Sequence, residues 1–307
     1  RLDLSPPKMP SWDADDRRSY ASISEMVEAT RTGGPAAAPA GIEREEPTRL
    51  EVGHEICGST GLPECGPDTG LFRTIQQAVH HAIPGDEIVV QQGKYGPGVP
   101  QNGSAAGSPA AATGGGGAIH VTTDDLTILG LGAISTLKFE VSADNVLIAG
   151  FGIYPGFDHL LFGSTGVLFE EGTFGNRLVA NELSGFHSGV VCYNAEDCVV
   201  AANHITNNVV GVGLCGTSTY PMDGSAVVTN ALLRSETGLL VDGSGCALGI
   251  ERSSPAESGP AEVNGSNYVS NTFIVDNLIR LNDVAAAFEA DEDTRLLFNI
   301  FQCSLDG

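Results

Sequence analysis

Beyond residue 118 the apolar positions alternate in short runs, and the runs return at a nearly fixed interval. The stretch VANELSGFHSGVV at 179–191 is followed by AANHITNNVVGVG at 201–213, and the same asparagine-centred pattern reappears in VTNALL, VDNLIR and LFNIFQ. Its asparagines are Asn181, Asn203, Asn230, Asn277 and Asn299, spaced 22, 27, 47 and 22 residues apart, each with an apolar residue two places on. A second mark keeps the register. Eight residues after four of them a small residue, Gly189, Gly211, Gly238 or Ala285, opens an apolar run (GVVCY, GVGLC, GLLVD, AAAFE). TILGLG at Thr127 and LIAGFG at Leu147 read as degenerate copies, with Gly130 and Gly150 in the asparagine slot. A period near 22 without helical spacing predicts an all-β solenoid, in which each short strand pairs with its counterpart in the next coil about 4.8 Å away. The asparagines then stack at a coil corner and bond the coils above and below through their side-chain amides, a structural role.

Helical spacing is confined to two places. LFRTIQQAVHHAI at 71–83 is apolar at 71, 72, 75, 78, 79, 82 and 83 and stops at Pro84-Gly85, which predicts an amphipathic helix running into the strand of DEIVVQQGKY. In SYASISEMVEAT, Tyr20, Ile23, Met26 and Val27 share one helical face within an otherwise extended arm at 1–55. Residues 56–95 then hold a Gly/Pro-rich loop, the helix and the first strand. Residues 96–117 are a flexible Gly/Ala-rich loop, and 118–307 are the coils, with a loop insertion at 243–270 that accounts for the spacing of 47.

The order of an amphipathic helix, PGDEIVVQQGKY and asparagine-marked coils resembles the right-handed parallel β-helix superfamily of secreted repeat proteins, which includes pectate, alginate and chondroitin lyases and phage tailspikes. The resemblance covers about residues 68–307. It implies a right-handed parallel β-helix whose N-terminal helix caps the open first coil, and an extracellular or cell-surface location. Enzymes of this kind act on polysaccharides along the face formed by strands such as GVVCY.

Composition narrows the partners. Asp plus Glu number 38 against 15 Lys plus Arg, a net charge of −23, which disfavours nucleic acid and anionic membranes. No apolar run approaches 18 residues, so none is long enough to span a bilayer, and Arg1 opens no secretion signal, as expected of a processed form. Of seven cysteines, Cys57 and Cys65 in CGSTGLPEC form a local disulfide by this reading; the odd total leaves at least one thiol free or paired between chains. NGS at Asn102 and Asn264, in predicted loops, would be a glycan acceptor in a eukaryotic secretory pathway.

Alternation along the GVVCY-type strands sends Val190, Cys192, Val212, Leu214, Leu239, Val241, Ala286 and Phe288 inward. Val191, Tyr193, Gly213, Cys215, Leu240, Asp242, Ala287 and Glu289 then face outward, a mostly small or apolar face that would suit burial against another subunit. It offers neither a basic column for a uronate lyase nor a dense carboxylate cage for calcium. Asp242 and Glu289, on consecutive coils once the insertion is set aside, stand roughly 5 Å apart by strand spacing. Two such carboxylates are candidates for acid–base work on a glycosidic bond or, with Asp291, for holding a cation such as Ca2+. Lys138 with Glu140, and Asp158 with His159, occupy the corresponding strands of earlier coils.

FNIFQCSLDG ends before the next such strand is made, so the last coil is expected to expose apolar interior and strand edge, inviting another chain. The arm is a candidate cover, by strand addition to a neighbour's edge. These features point to a surface or secreted structural protein that self-associates into homo-oligomers or filaments. The alternative is a polysaccharide-binding or polysaccharide-degrading β-helix, either lyase or glycosidase, acting through Asp242 and Glu289.

Overall fold

The computed structural model describes residues 48–53, 56, 64–96, 117–155, 164–217, 222–242, 269–289, 291–292 and 294–303. The arm helix at 20–27, Cys57, Asn102, Asp158, His159 and Asn264 lie outside these residues, as does most of the insertion.

The described strands form three long parallel sheets of ten, eight and seven strands. One coil shows the path. Arg177–Val179 belongs to the first sheet, Glu182–Ser184 to the second and Ser188–Tyr193 to the third, and Val199–Ala201 then returns to the first sheet beside Arg177–Val179. Successive coils repeat this circuit in register, so the chain is a right-handed parallel β-helix. Inward side chains of all three sheets meet in one core, with Phe139, Phe151, Phe169, Ile128, Ile148, Leu178 and Leu183 almost fully enclosed. A small fourth sheet, Met222–Asp223, Val269–Ser270 and Asp291–Glu292, adds a side rung where the later coils are wider.

The asparagines form the expected ladder at the corner between the first and second sheets. Asn203 Oδ1 accepts from Asn181 N (2.9 Å) and Asn181 Nδ2 (3.2 Å). Its Nδ2 donates to Leu178 O (2.9 Å) and Asn230 Oδ1 (3.0 Å). The chain of amides continues from Asn230 to Asn277 and from Asn277 to Asn299. The residue before each asparagine, Ala180, Ala202, Thr229, Asp276 or Phe298, is left-handed with φ of 55° or 56°. An L side chain there costs on the order of 1 kcal/mol, which the ladder's hydrogen bonds offset. The degenerate copies fall one residue away from their expected register. Ala149 pairs with Val179, so Phe151, not Gly150, stands opposite Asn181, and its N–H donates to Asn181 Oδ1 (2.9 Å). By the same count Gly130 pairs ahead of the slot. Gly150, at φ 77°, takes the left-handed place that Ala180 fills one coil on.

The small residues of the second mark have a steric cause. A Cβ on Gly189 would come within 2.7 Å of Gly211 O and 2.8 Å of Ile205 Cγ2, so the bend that opens the third sheet admits no side chain there. A parallel corner ladder went unread in the sequence: Asn208 Oδ1 accepts from Phe186 N, and Asn282 Oδ1 from Ser235 N.

At the start of the solenoid the helix is shorter than 71–83. Helix α1 is Ile75–His81, because Thr74 caps it by accepting from Gln77 N (3.2 Å), while Leu71–Phe72 pairs as a strand with Arg49–Val52. That last strand lies within the stretch assigned from sequence to the arm; it also pairs with Glu87–Val90. Ile75, Ala78 and Val79 are buried in the core, an apolar helical face packed at the first coil. Cys65 is disulfide-bonded. A disulfide not expected from the sequence joins Cys192 and Cys198 across the turn that leaves the third sheet, and Cys215 is bonded as well.

Candidate functional site

Alternation fixes which residues of the third sheet face outward. In Ala118–Val121, Ile119 and Val121 are buried and His120 is exposed; in Lys138–Val141, Phe139 and Val141 are buried while Lys138 and Glu140 face out. Register places Ala118 beside Lys138 and His120 beside Glu140. Glu140 in turn pairs with Leu168, and Glu170 follows two residues later, just past Thr165–Phe169. Three neighbouring coils thus bring His120, Lys138, Glu140 and Glu170 to one patch.

Glu140 is its centre. His120 Nδ1 lies 2.9 Å from Glu140 Oε2, and Lys138 Nζ lies 2.5 Å from Glu140 Oε1, so each carboxylate oxygen has its own cationic or hydrogen-bonding partner. Glu140 exposes 17% of its side chain against 51% for His120 and 33% for Lys138; the carboxylate sits beneath its two partners and remains open to solvent. Helix α1 holds the strand that carries His120. Gln76 Oε1 accepts from His120 N (2.8 Å) and Gln76 Nε2 donates to His120 O (3.3 Å), as a neighbouring strand would.

Glu170 is in a different state. Burial pushes its carboxyl above the usual range, the Glu140 charge adds to this, and His120 and Lys138 act against both. Two carboxyls on one face therefore have unequal environments, one held between an ammonium and an imidazole and the other partly desolvated.

Further down the same sheet the outward face changes character. Leu168, Val191, Tyr193, Val209, Val210, Cys215 and Leu240 form a second apolar cluster, in which Val191 and Cys215 have no exposed surface. The apolar face expected to await another subunit is thus largely enclosed within the chain itself. Asp242 ends Thr237–Asp242 in the outward register and is buried. Its backbone pairs in register with Glu289, so the two occupy consecutive coils as anticipated. Asp291 belongs to another sheet, paired with Val269. Among the described residues no group of three or more His, Cys, Asp or Glu is placed to hold a metal. Phe288, in the inward register, is 38% exposed because its strand is the last described in the third sheet.

Sequence reasoning placed Lys138 and Glu140 on this sheet and missed His120 and Glu170. The signal for His120 was available: AIHV alternates and stands 20 residues before KFEV, the interval of the neighbouring coils.

No protein-family model and no curated protein sequence matches the chain. Solved structures resemble it in fold. An alginate lyase from Paenibacillus sp. str. FPU-7 is 13% identical over 73% of this chain and 72% of that chain, with a TM-score of 0.43. The pectate lyase Pel9A is 11% identical over 85% and 78%, with a TM-score of 0.47. A pectin methylesterase from Aspergillus niger is 10% identical over 88% and 92%, with a TM-score of 0.43.

Proposed function

We propose that the protein is an extracellular polysaccharide-acting β-helix protein that hydrolyses glycosidic bonds at the His120, Lys138, Glu140 and Glu170 patch. The observation that carries this reading is the pair of carboxyls in unequal environments on one outward face. Glu170 donates its proton to the glycosidic oxygen as the bond from that oxygen to the anomeric carbon breaks. Glu140, oriented by His120 and Lys138, takes a proton from the water whose oxygen bonds to the anomeric carbon. Glu140 is in register with Leu168, two residues before Glu170, so the two Cα atoms are on the order of 8 Å apart by strand geometry. Hydrolysis fits better than uronate elimination, because Lys138 is already matched by Glu140 and a net charge of −23 repels an anionic chain. The disulfide between the buried Cys192 and Cys198 supports an oxidising compartment. A screen of neutral and acidic glycans, read for new reducing ends and for unsaturated products, tests the reading. Turnover lost in both Glu140→Gln and Glu170→Gln supports it; turnover intact in both refutes the site, and unsaturated products refute the chemistry.

The Asp242 and Glu289 pair remains the second candidate on the same sheet. Asp242→Asn and Glu289→Gln, assayed in parallel with and without Ca2+, separate the two sites. Self-association with a second copy of this chain is a further reading. Light scattering over a range of protein concentrations tests it, and a mass that stays monomeric rejects it.

A further inference from the structure

The second sheet carries a row of side chains that the acid–base patch does not use. Its outward positions on four successive coils are Ile134, Gly152, Glu182 and His204, fixed by the pairings of Ile134 with Gly152, Gly152 with Glu182, and Glu182 with His204. Gly152 presents no side chain of its own. Tyr154, two residues on, turns its ring back over that position: a Cβ on residue 152 would stand 2.9 Å from Tyr154 Cε2 and 3.5 Å from Cζ. The glycine leaves the space that this edge of the ring occupies. Burial and, after it, the neighbouring Glu182 on the next coil push the ring's hydroxyl up to about 12, and Ile134 extends the apolar surface on the coil before, 41% exposed.

This arrangement is not needed to close the core. Tyr154 lies among the partly exposed residues, outside the core cluster, and the coil's inward contact is made by Ile153. A ring over an outward sheet position, with a carboxylate on the next rung and an imidazole one rung further, offers an apolar surface and a line of polar groups beside it. A pyranose has the same division: its C–H face packs on an aromatic ring by dispersion and weak C–H contacts, and its rim of hydroxyls bonds to carboxylate and imidazole. The rung of about 4.8 Å is close to the length of one sugar unit, so successive coils match successive units of a chain.

We propose that Ile134, Gly152, Tyr154, Glu182 and His204 form a glycan-binding platform, separate from the acid–base patch, that takes an uncharged, extended sugar chain laid along the solenoid with one ring on Tyr154. The chain is uncharged because Glu182 stands in the row and the protein carries −23 overall. The proposal shares its ligand class with the hydrolytic reading and deepens it, giving a surface that holds the polymer while another cuts it.

The test uses the whole chain carrying Glu170→Gln, so that bound glycan is not consumed, and calorimetric titration with hexasaccharides of β-1,4-linked glucose, xylose and mannose and with hexagalacturonate as the anionic control. Tyr154→Ala should weaken binding of the preferred neutral chain at least tenfold. Tyr154→Phe should retain most of it, and Glu182→Gln should give an intermediate loss. Matching circular dichroism and melting temperatures show that the variants fold. Affinity unchanged in Tyr154→Ala, preference for hexagalacturonate, or no binding of any neutral chain by the starting protein overturns the platform. The hydrolytic reading is judged separately, by turnover in the unsubstituted protein: turnover with unchanged Tyr154→Ala binding sinks the platform alone, and binding lost in Tyr154→Ala without any turnover sinks the hydrolysis alone.

Discussion

Replacing Asn203 with alanine isolates what the corner ladder contributes. Asn203 is 2% exposed and its side chain makes four hydrogen bonds. Two of the partners keep other bonds when it is removed: Asn181 Nδ2 still donates to Ile148 O and Val179 O, and Asn230 Oδ1 still accepts from Asn203 N. Leu178 O stays in the parallel ladder with Val199–Ala201. Asn181 N alone is left without its acceptor in a buried corner, and at about 1–3 kcal/mol for an orphaned group the loss comes to about 1–3 kcal/mol. Asn299→Ala provides the internal comparison. Its side chain serves Asn277 N, Asn277 Nδ2 and Ile274 O, but on a half-exposed last rung where water can replace it, so about 0.5–1.5 kcal/mol is expected. Urea unfolding followed by circular dichroism, with the two midpoints converted at unchanged slope, measures both. A loss below about 1 kcal/mol for Asn203→Ala, or losses equal within error at the two positions, would refute the account of the ladder as a buried hydrogen-bond device.

Three further outcomes are expected. Because the folded carboxyl of Glu170 is raised, the unfolded chain releases that proton first as the pH rises, and stability falls through the folded pKa. Glu170→Gln should therefore melt higher than the parent at pH 7, with the difference fading below about pH 4, where both states of the parent are protonated; a variant that melts lower at neutral pH contradicts the desolvation. Gly211→Ala forces a Cβ against the carbonyl oxygen of Gly238 on the next coil and should cost about 2 kcal/mol or more in thermal unfolding, whereas Gly172→Ala, with open space around it, should lose only the roughly 1 kcal/mol of its left-handed backbone. Thr229 holds a β-branched side chain at φ 55°, so Thr229→Asn should stabilise by about 0.5–1 kcal/mol in the same measurement, and a destabilised variant would show that its hydroxyl bond to Val228 O outweighs the strain.

The fold was legible because its stabilising device requires one residue type at one place in every coil. An amide can pass its hydrogen bonds to the next amide only if Asn181, Asn203, Asn230, Asn277 and Asn299 stand in register, so the requirement prints itself on the sequence as a period. The glycine column at 189, 211 and 238 is printed for an equally local reason, the approach of the next coil's carbonyl. Where the device changes, the reading slipped. Phe151 bonds Asn181 through its backbone alone, so nothing in its side chain marks the slot, and the register of the earlier coils was read one residue short. The disulfide between Cys192 and Cys198 was hidden for a different reason: the bond spans a corner, and pairing across a turn depends on backbone geometry that spacing does not encode.

The proposed patch escaped for the converse reason, since its residues break the repeat that reveals the fold. Along the third sheet the outward column reads His120, Glu140, Leu168, Val191, Gly213, Leu240 and Ala287. Between the second and third of these the face turns from charged to apolar, and the apolar part closes over itself while the charged part stays open to solvent. A strand surface that only needed solubility would be served by any polar residue. Here the open part instead places one carboxylate against both an imidazole and an ammonium group, and sets a second, partly desolvated carboxyl one coil away. In a chain with so large an excess of acid, Lys138 and His120 beside Glu140 concentrate scarce basic side chains at one point of the solenoid. That concentration, rather than any resemblance, is the physical reason to look for chemistry there.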